Sequence, residues 1–136
     1  MKRLFLLTLV VMVALLGSAC GGESASGRGQ AKGEVQKMSA AEAQKLMESE
    51  SGYLIVDVRT PQEYAEGHIP KAINIPNETI STTPPAALSD KGQRIFLYCR
   101  SGRRSQDAAQ KLAAMGYTNL VDFGAITDWR GALAKD

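Results

Sequence analysis

IFLYCRSGRRSQDAAQKLAAMG, residues 95–116, is the stretch that decides the fold class. An apolar run of strand length comes first, and the thiol of Cys99 follows it directly. A loop with three arginines and one glycine comes next, followed by an alanine-rich pattern of helical period. The first run predicts a buried strand and the last a helix that ends at Gly116. The thiol, placed among cations between a strand and a helix, is the candidate reactive group of this chain.

Strand and helix patterns alternate along the rest of the chain. Capping boxes that start helices are predicted for Ser39 with Glu42 and for Thr60 with Glu63. The strand runs are apolar on both faces, which is typical of a parallel sheet covered by helices on both sides, so the predicted fold class is α/β. The other predicted elements are strands at residues 53–59, 72–76 and 119–123, a loop with one short helix at 77–92, and a closing helix at 126–135.

Residues 1–19 are predicted to be a signal peptide. Two basic residues precede an uncharged apolar run that ends in small residues, which is the secretory pattern. The sequence GSAC, residues 17–20, resembles the lipobox of bacterial lipoproteins, although Gly17 stands where leucine is favoured. We expect Cys20 to be lipidated, and the alternative is an ordinary signal with a chance cysteine. The protein is then expected to be exported and lipid-anchored to a membrane of the cell envelope or periplasm.

The part of the chain that follows the signal divides into two segments. Residues 20–33 are rich in Gly and Ser and predict a flexible tether, whereas residues 34–136 form one folded domain. Without residues 1–19 the chain has 14 basic and 14 acidic residues, so no charge excess suggests nucleic-acid binding. A Cys20–Cys99 disulfide is disfavoured because one thiol lies on a tether and the other at a strand end. No metal-ligand spacing occurs, no cofactor is implied, and a monomer is expected.

The loop that follows the strand has the features of an anion site. It must turn sharply, and Gly102 permits the turn. Its backbone N–H groups and the N-terminus of the next helix would then cradle negative charge. Thiols in such places ionise readily, so Cys99 is expected to act as a nucleophile. At least one of Arg100, Arg103 and Arg104 is expected to face an anionic substrate. Attack on phosphorus or arsenic and attack on the outer sulfur of a donor both fit these residues.

Three blocks of the sequence resemble one known family. CRSGRRS, residues 99–105, resembles the active loop of rhodaneses, the thiosulfate sulfurtransferases. VDVRTPQEYAEGHIPKAINIP, residues 56–76, and GYTNLVDFGAITDW, residues 116–129, are similar to the flanking signatures of that family. The resemblance extends over residues 35–133, with the blocks in the family's order. It implies a rhodanese-like parallel five-stranded sheet with helices on both faces.

The resemblance also implies roles for individual residues. Cys99 would take the sulfane sulfur of a small anionic donor such as thiosulfate, form a persulfide, and pass the sulfur to a thiophilic acceptor such as cyanide or a thiol. His68, in the family's GHIP motif, would be a packed, hydrogen-bonded turn residue. Apart from the resemblance, Asp57 and Arg59 are expected to tie the strand end to the neighbouring loop by charged hydrogen bonds. The substrate-binding loop would consist of Arg100, Ser101, Gly102, Arg103, Arg104 and Ser105. Lys71 and Ala125 depart from the family pattern, because glycine is usual at both positions.

Loop length favours sulfur chemistry over phosphorus chemistry. Related phosphatases and arsenate reductases place five residues between the cysteine and an arginine, whereas four separate Cys99 from Arg104 here. Two alternatives stay open at this point. The first is a persulfide carrier or redox relay module that acts on a protein partner. The second, which is less favoured, is an arsenate reductase or phosphatase.

Overall fold

The computed structural model describes residues 33–136, so the predicted signal, the lipidation at Cys20 and nearly all of the tether lie outside the described residues. Five parallel strands form one sheet in the order β1-β5-β4-β2-β3. None of the helices among these residues is long and apolar enough to cross a membrane. In chain order the elements are β1 Val35–Lys37, α1 Ala40–Ser49, β2 Leu54–Asp57, α2 Pro61–Glu66, β3 Ala72–Asn74, β4 Ile95–Cys99, α3 Arg103–Ala114 and β5 Leu120–Ala125.

The sheet is covered on both faces, as predicted. Alternate residues of β4 point to opposite sides: Leu97 and Cys99 pack with α3, whereas Phe96 and Tyr98 pack with α1. All five side chains of β4 are buried, which explains why its sequence is apolar without alternation. This arrangement confirms the α/β fold class and places Cys99 on the α3 face.

Local sequence signals set the starts of two helices. Ser39 caps α1 in a reciprocal box with Glu42, and Thr60 caps α2 in the same way with Glu63. Pro61 occupies the first turn of α2, where its missing N–H costs no hydrogen bond. Both predicted capping boxes are therefore confirmed.

Two predictions about the ends of the domain need correction. The strand patterns did not identify β1, which pairs with β5 at the edge of the sheet. The predicted closing helix at 126–135 is wrong, because only a 3-10 turn, Ile126–Asp128, forms there. The chain then continues without helix through a bend at Gly131 to Ala134, which exchanges two backbone hydrogen bonds with His68. That long-range pairing holds the backbone away from a helical conformation.

His68 is packed into the turn before β3. Its ring is stacked on Tyr64 with 3.8 Å between ring centroids, and Nδ1 lies 2.9 Å from the Tyr64 carbonyl oxygen. The side chain is buried. These contacts fit the structural role that the sequence resemblance implied for His68.

Candidate active site

Cys99 ends β4 at the carboxyl edge of the sheet, opposite Ala125 of β5. Its side chain is buried, and the backbone N–H of Gly102 donates to Sγ at 2.9 Å. Gly102 adopts a left-handed conformation with φ 95°, which returns the loop over the sulfur. The loop therefore directs at least one backbone donor at the thiol.

The loop packs closely against the end of β5. A Cβ added to Gly102 would lie 3.6 Å from the Cα of Gly124. Gly124 itself has φ 84° and follows a bulge, since Leu97 pairs with Asp122 but Tyr98 pairs with Gly124. By contrast, Ala125 has ordinary extended dihedrals, so alanine fits where the family usually has a second glycine.

The N-terminus of α3 adds positive potential beside the sulfur. Gly102 is the N-cap, and no side chain caps the helix. The first intrahelical bond runs from the N–H of Gln106 to the carbonyl of Gly102, so the N–H groups of Arg103, Arg104 and Ser105 have no helical acceptor. Such a terminus stabilises an anion.

The three arginines of the loop have different surroundings. Arg104 forms a two-point ion pair with Glu63 of α2, with N–O distances of 2.8 and 2.9 Å. The Arg104 guanidinium lowers the pKa of Glu63 to about 2. Arg100 and Arg103 are exposed, and neither forms an ion pair within residues 33–136. Those two side chains are therefore the ones available to an anion that arrives at the loop.

A buried polar pair lies beneath the sulfur on the α3 face. The Ser105 hydroxyl is 3.7 Å from Sγ of Cys99 and 2.7 Å from Oδ1 of Asp122. The N–H of Gly124 donates to the same Oδ1 at 3.1 Å. Sequence reasoning included Ser105 in the loop but missed Asp122 and the ion pair of Glu63. A charged residue inside the apolar run of residues 119–123 was the available signal for Asp122.

Asp57 and Arg59 lie on the opposite face of the sheet, with Tyr98. The Asp57 carboxylate accepts from Nε, Nη2 and the backbone N–H of Arg59 and from the Tyr98 hydroxyl, over 2.6–3.0 Å. Arg59 also donates to the Gly67 carbonyl at 2.6 Å. Burial raises the pKa of the Tyr98 hydroxyl, which stays protonated as a donor. This network ties the end of β2 to the next loop and is separate from the thiol.

The family of the chain follows from these features and from comparison with known proteins. Residues 39–132 match the rhodanese-like domain. The chain belongs to the rhodanese-like domain family. It is 37% identical over 73 residues to the thiosulfate sulfurtransferase PspE of Escherichia coli (strain K12), covering 54% of this chain and 70% of that protein. It is 38% identical over 90 residues to a sulfurtransferase of Allochromatium vinosum, covering 64% and 79%.

Solved structures agree with the rhodanese-like fold. A rhodanese-like domain protein from Staphylococcus aureus superposes with a TM-score of 0.63 at 30% identity, covering 74% of this chain and 98% of that one. A rhodanese with anions from E. coli gives a TM-score of 0.57 at 33% identity, covering 62% and 99%. These relatives support sulfur transfer as the general chemistry of the family.

Two clefts flank the loop of residues 100–105 in this rhodanese-like domain. One, of about 430 Å³, is lined by residues that include Arg103, Asp122 and Gly124, and the other, of about 460 Å³, by residues that include Ala125 and Arg130. Ser101 borders both clefts. No group of three His, Cys, Asp or Glu side chains within residues 33–136 is placed to hold a metal ion. The site therefore offers a thiol, backbone donors and cationic side chains.

Proposed function

We propose that this chain is a sulfurtransferase that moves sulfane sulfur through a persulfide on Cys99. One observation carries the proposal: the sulfur receives the Gly102 N–H at 2.9 Å at the start of a helix without a side-chain cap. Such a place stabilises a thiolate, which is the nucleophilic form of cysteine, and afterwards stabilises the negative persulfide. The sulfurtransferases among its relatives support the same chemistry.

With thiosulfate as the donor, the proposed reaction has two steps. The Cys99 thiolate attacks the outer sulfur of the donor, a new S–S bond forms, and the old S–S bond breaks. Its electron pair leaves on sulfite, so the enzyme holds a persulfide anion. In the second step cyanide, or a thiolate, attacks the outer sulfur of the persulfide and departs as thiocyanate or as a persulfide. The Cys99 thiolate returns, and no proton or external electron is needed.

Recognition of the donor is assigned to the loop of residues 100–105. Thiosulfate carries two negative charges, and the exposed guanidinium groups of Arg100 and Arg103 are free to pair with them. Arg104 is held by Glu63 and is proposed to shape the loop instead. In this proposal neither a metal nor an organic cofactor takes part.

Mass spectrometry after thiosulfate treatment tests the proposal. The intact chain should gain one sulfur atom, about 32 Da, on the peptide that contains Cys99. Addition of cyanide should remove it with formation of thiocyanate. Cys99→Ser should show neither event. A Cys99→Ser variant that produces thiocyanate as fast as the unsubstituted chain contradicts the proposal.

Substitution of the exposed arginines tests the recognition step. The double variant Arg100→Ala, Arg103→Ala should raise the KM for thiosulfate about tenfold, because two exposed charged contacts of about 0.7 kcal/mol each are lost. Lys45→Ala, which removes an exposed charge from α1, is the control and should leave KM unchanged. Equal KM values for the double variant and the control contradict the assignment of these arginines.

Transfer to a protein acceptor is the second candidate function. The exposed arginines and the two clefts beside Ser101 favour it, because they offer a protein acceptor a charged and concave surface next to the loop. Slow turnover with cyanide but rapid loss of the persulfide to one protein would favour this role. Hydrolysis of an aryl phosphate or reduction of arsenate at the same site is not expected.

We also propose that residues 1–19 direct export, that Cys20 is lipidated, and that residues 20–33 tether the domain of residues 34–136 to a membrane of the cell envelope or periplasm. The support is the sequence pattern alone. A labelled fatty acid should enter the wild-type chain but not Cys20→Ala in a lipoprotein-processing bacterium. Equal labelling of both chains contradicts the proposal.

A further inference from the structure

The buried pair beneath the thiol has a function of its own. We propose that Asp122 is a positioning residue that fixes the hydrogen of the Ser105 hydroxyl and thereby raises the proton affinity of the Cys99 sulfur. The inference rests on the proposed role of Cys99 as the nucleophile. Its test is chosen so that it can fail while sulfur transfer is upheld.

Burial strengthens the hydrogen bonds that Asp122 accepts. Ser105 is fully buried and Asp122 is 5% exposed, so water does not compete effectively for their hydrogen bonds. The carboxylate accepts the Ser105 hydroxyl at 2.7 Å and the Gly124 N–H at 3.1 Å, both on Oδ1. These donors come from the first turn of α3 and from the bulge of β5, so the fold holds both partners in place.

A hydroxyl group has a single hydrogen to donate. Two oxygens compete for it, since the Gly102 carbonyl lies at 3.1 Å and Asp122 at 2.7 Å. The ionised carboxylate is the stronger acceptor and makes the shorter contact. The Ser105 oxygen consequently presents lone pairs toward Sγ, 3.7 Å away. A thiol can donate to that oxygen, whereas a thiolate receives nothing from it.

Asp122 and Ser105 therefore act against the donors on the other side of the sulfur, which stabilise its anion. The Gly102 N–H and the helix terminus favour the thiolate, whereas Asp122 and the oriented Ser105 favour the thiol. A thiolate that is stabilised too strongly becomes a weaker nucleophile. We infer that Asp122 preserves the reactivity of Cys99 by limiting that stabilisation.

Other charged groups also surround this site. On the α3 face Lys37 of β1 is the register partner of Asp122, and Arg103 lines the same cleft. Arg104 lies close enough to interact with Cys99 but is paired with Glu63. On the far side of the loop, Asp128 and Arg130 line the second cleft. Leu97, the β4 neighbour of Asp122, carries no charge.

Asp122→Asn tests the proposal, since the amide keeps the shape of the carboxylate but is a weaker acceptor that no longer holds the Ser105 hydrogen firmly. The readout is the rate of iodoacetamide alkylation of the Cys99 peptide against pH, followed by mass spectrometry. The pH of half-maximal rate should fall by about one unit, because the Ser105 hydroxyl is no longer held by a carboxylate and can donate to the thiolate 3.7 Å away. The limiting rate at high pH should fall about threefold. An unchanged or raised midpoint overturns the proposal.

Asp128→Asn is the matched control, because it removes the same charge from an exposed position beside the loop. Solvent screening should keep its shift below about 0.3 pH units, and an equal shift overturns the special role of Asp122. In a Ser105→Ala background, Asp122→Asn should move the midpoint by less than half as much. An undiminished shift there means that Ser105 does not transmit the effect, and it overturns the proposed route.

A measurement on the unsubstituted chain covers the case in which Asp122→Asn does not fold. The infrared difference between wild type and Cys99→Ala isolates the S–H stretch of Cys99. A band lowered in frequency relative to a free thiol supports donation from the thiol to Ser105, and a band at the free-thiol frequency overturns it. None of these measurements depends on sulfur transfer. Loss of transferase activity in the wild-type chain would refute the proposed function without deciding this inference.

Discussion

The ends of β2 and β4 are neighbours at one edge of the sheet, yet they carry opposite kinds of polar site. At the end of β2, Asp57 is surrounded by donors from Arg59 and Tyr98, and its charge is neutralised within the fold. At the end of β4, Cys99 meets the uncapped start of α3. The first site has its hydrogen-bonding capacity filled by the protein, and the second keeps donors for a ligand. That difference, rather than position along the sheet, separates the structural site from the site that is proposed to react.

We call the Asp57 network at the end of β2 the closed site and the surroundings of Cys99 at the end of β4 the open site. The largest expected effect comes from removing one partner in the closed site. Arg59→Met removes the partner of a buried carboxylate and should lower the free energy of unfolding by about 3–5 kcal/mol. Arg104→Met is the control at the open site, and it should lose only about 1–2 kcal/mol because its pair with Glu63 is partly exposed. Urea denaturation measures both variants. Equal losses would show that the two sites do not differ in the way described.

The ion pair between Arg104 and Glu63 makes the stability of the fold pH-dependent. The pKa of Glu63, about 2 in the fold, lies below its usual 4.5 because of Arg104. The contribution of the ionised Glu63 carboxylate to the free energy of unfolding is therefore complete above about pH 5, and it is lost as the pH falls through 2. Glu63→Gln should lose about 2 kcal/mol of stability at pH 7, after allowance for solvent screening, and this gap should shrink steadily between pH 5 and pH 2. A gap that stays constant across this range contradicts the interpretation.

Backbone conformation at the open site is a third point of comparison. Gly124→Ala forces a left-handed alanine at φ 84° and should cost about 1 kcal/mol, although no atom within 4 Å would meet the new methyl group. Because Gly124 supports the loop, we expect at least a tenfold loss of sulfur transfer as well. Gly52→Ala is the control, since Gly52 has φ 72° and is equally uncrowded but lies at the other end of the sheet. It should show the same loss of stability with unchanged activity, and matching activities in the two variants would contradict the prediction.

The smallest effect is a gain in stability in the turn before β3, at the end of the sheet away from Asp57 and Cys99. Lys71 has φ 70° in the turn before β3, a conformation that glycine adopts without strain. Lys71→Gly should therefore raise the free energy of unfolding by about 0.5 kcal/mol, the relief of strain less the entropy that glycine loses. Lys45→Gly, in the middle of α1, should instead lower it by about 1 kcal/mol. Destabilisation by both changes would refute the argument from backbone strain.

Local patterns predicted the elements whose stability is local. The capping boxes of Ser39 and Thr60, the apolar run before Cys99 and the alanine-rich helix all appear in the structure. The helix begins at Arg103, because Gly102 turns the loop within three residues. The edge strand β1 and the non-helical C-terminal segment depend on partners far away in the chain. No local period could reveal either of them.

The sequence by itself determined the α/β class, the strand–loop–helix around Cys99 and the family to which the chain belongs, because apolar periods, caps and the CRSGRRS loop are written in contiguous residues. Only the tertiary structure decided which charged and polar side chains form pairs. It paired Glu63 with Arg104, enclosed Asp57 with Arg59 and Tyr98, and brought Asp122 beneath Ser105. The reason is physical: hydrogen bonds and ion pairs act over a few ångströms in space, and these partners meet only where parallel strands and their helices converge at one edge of the sheet.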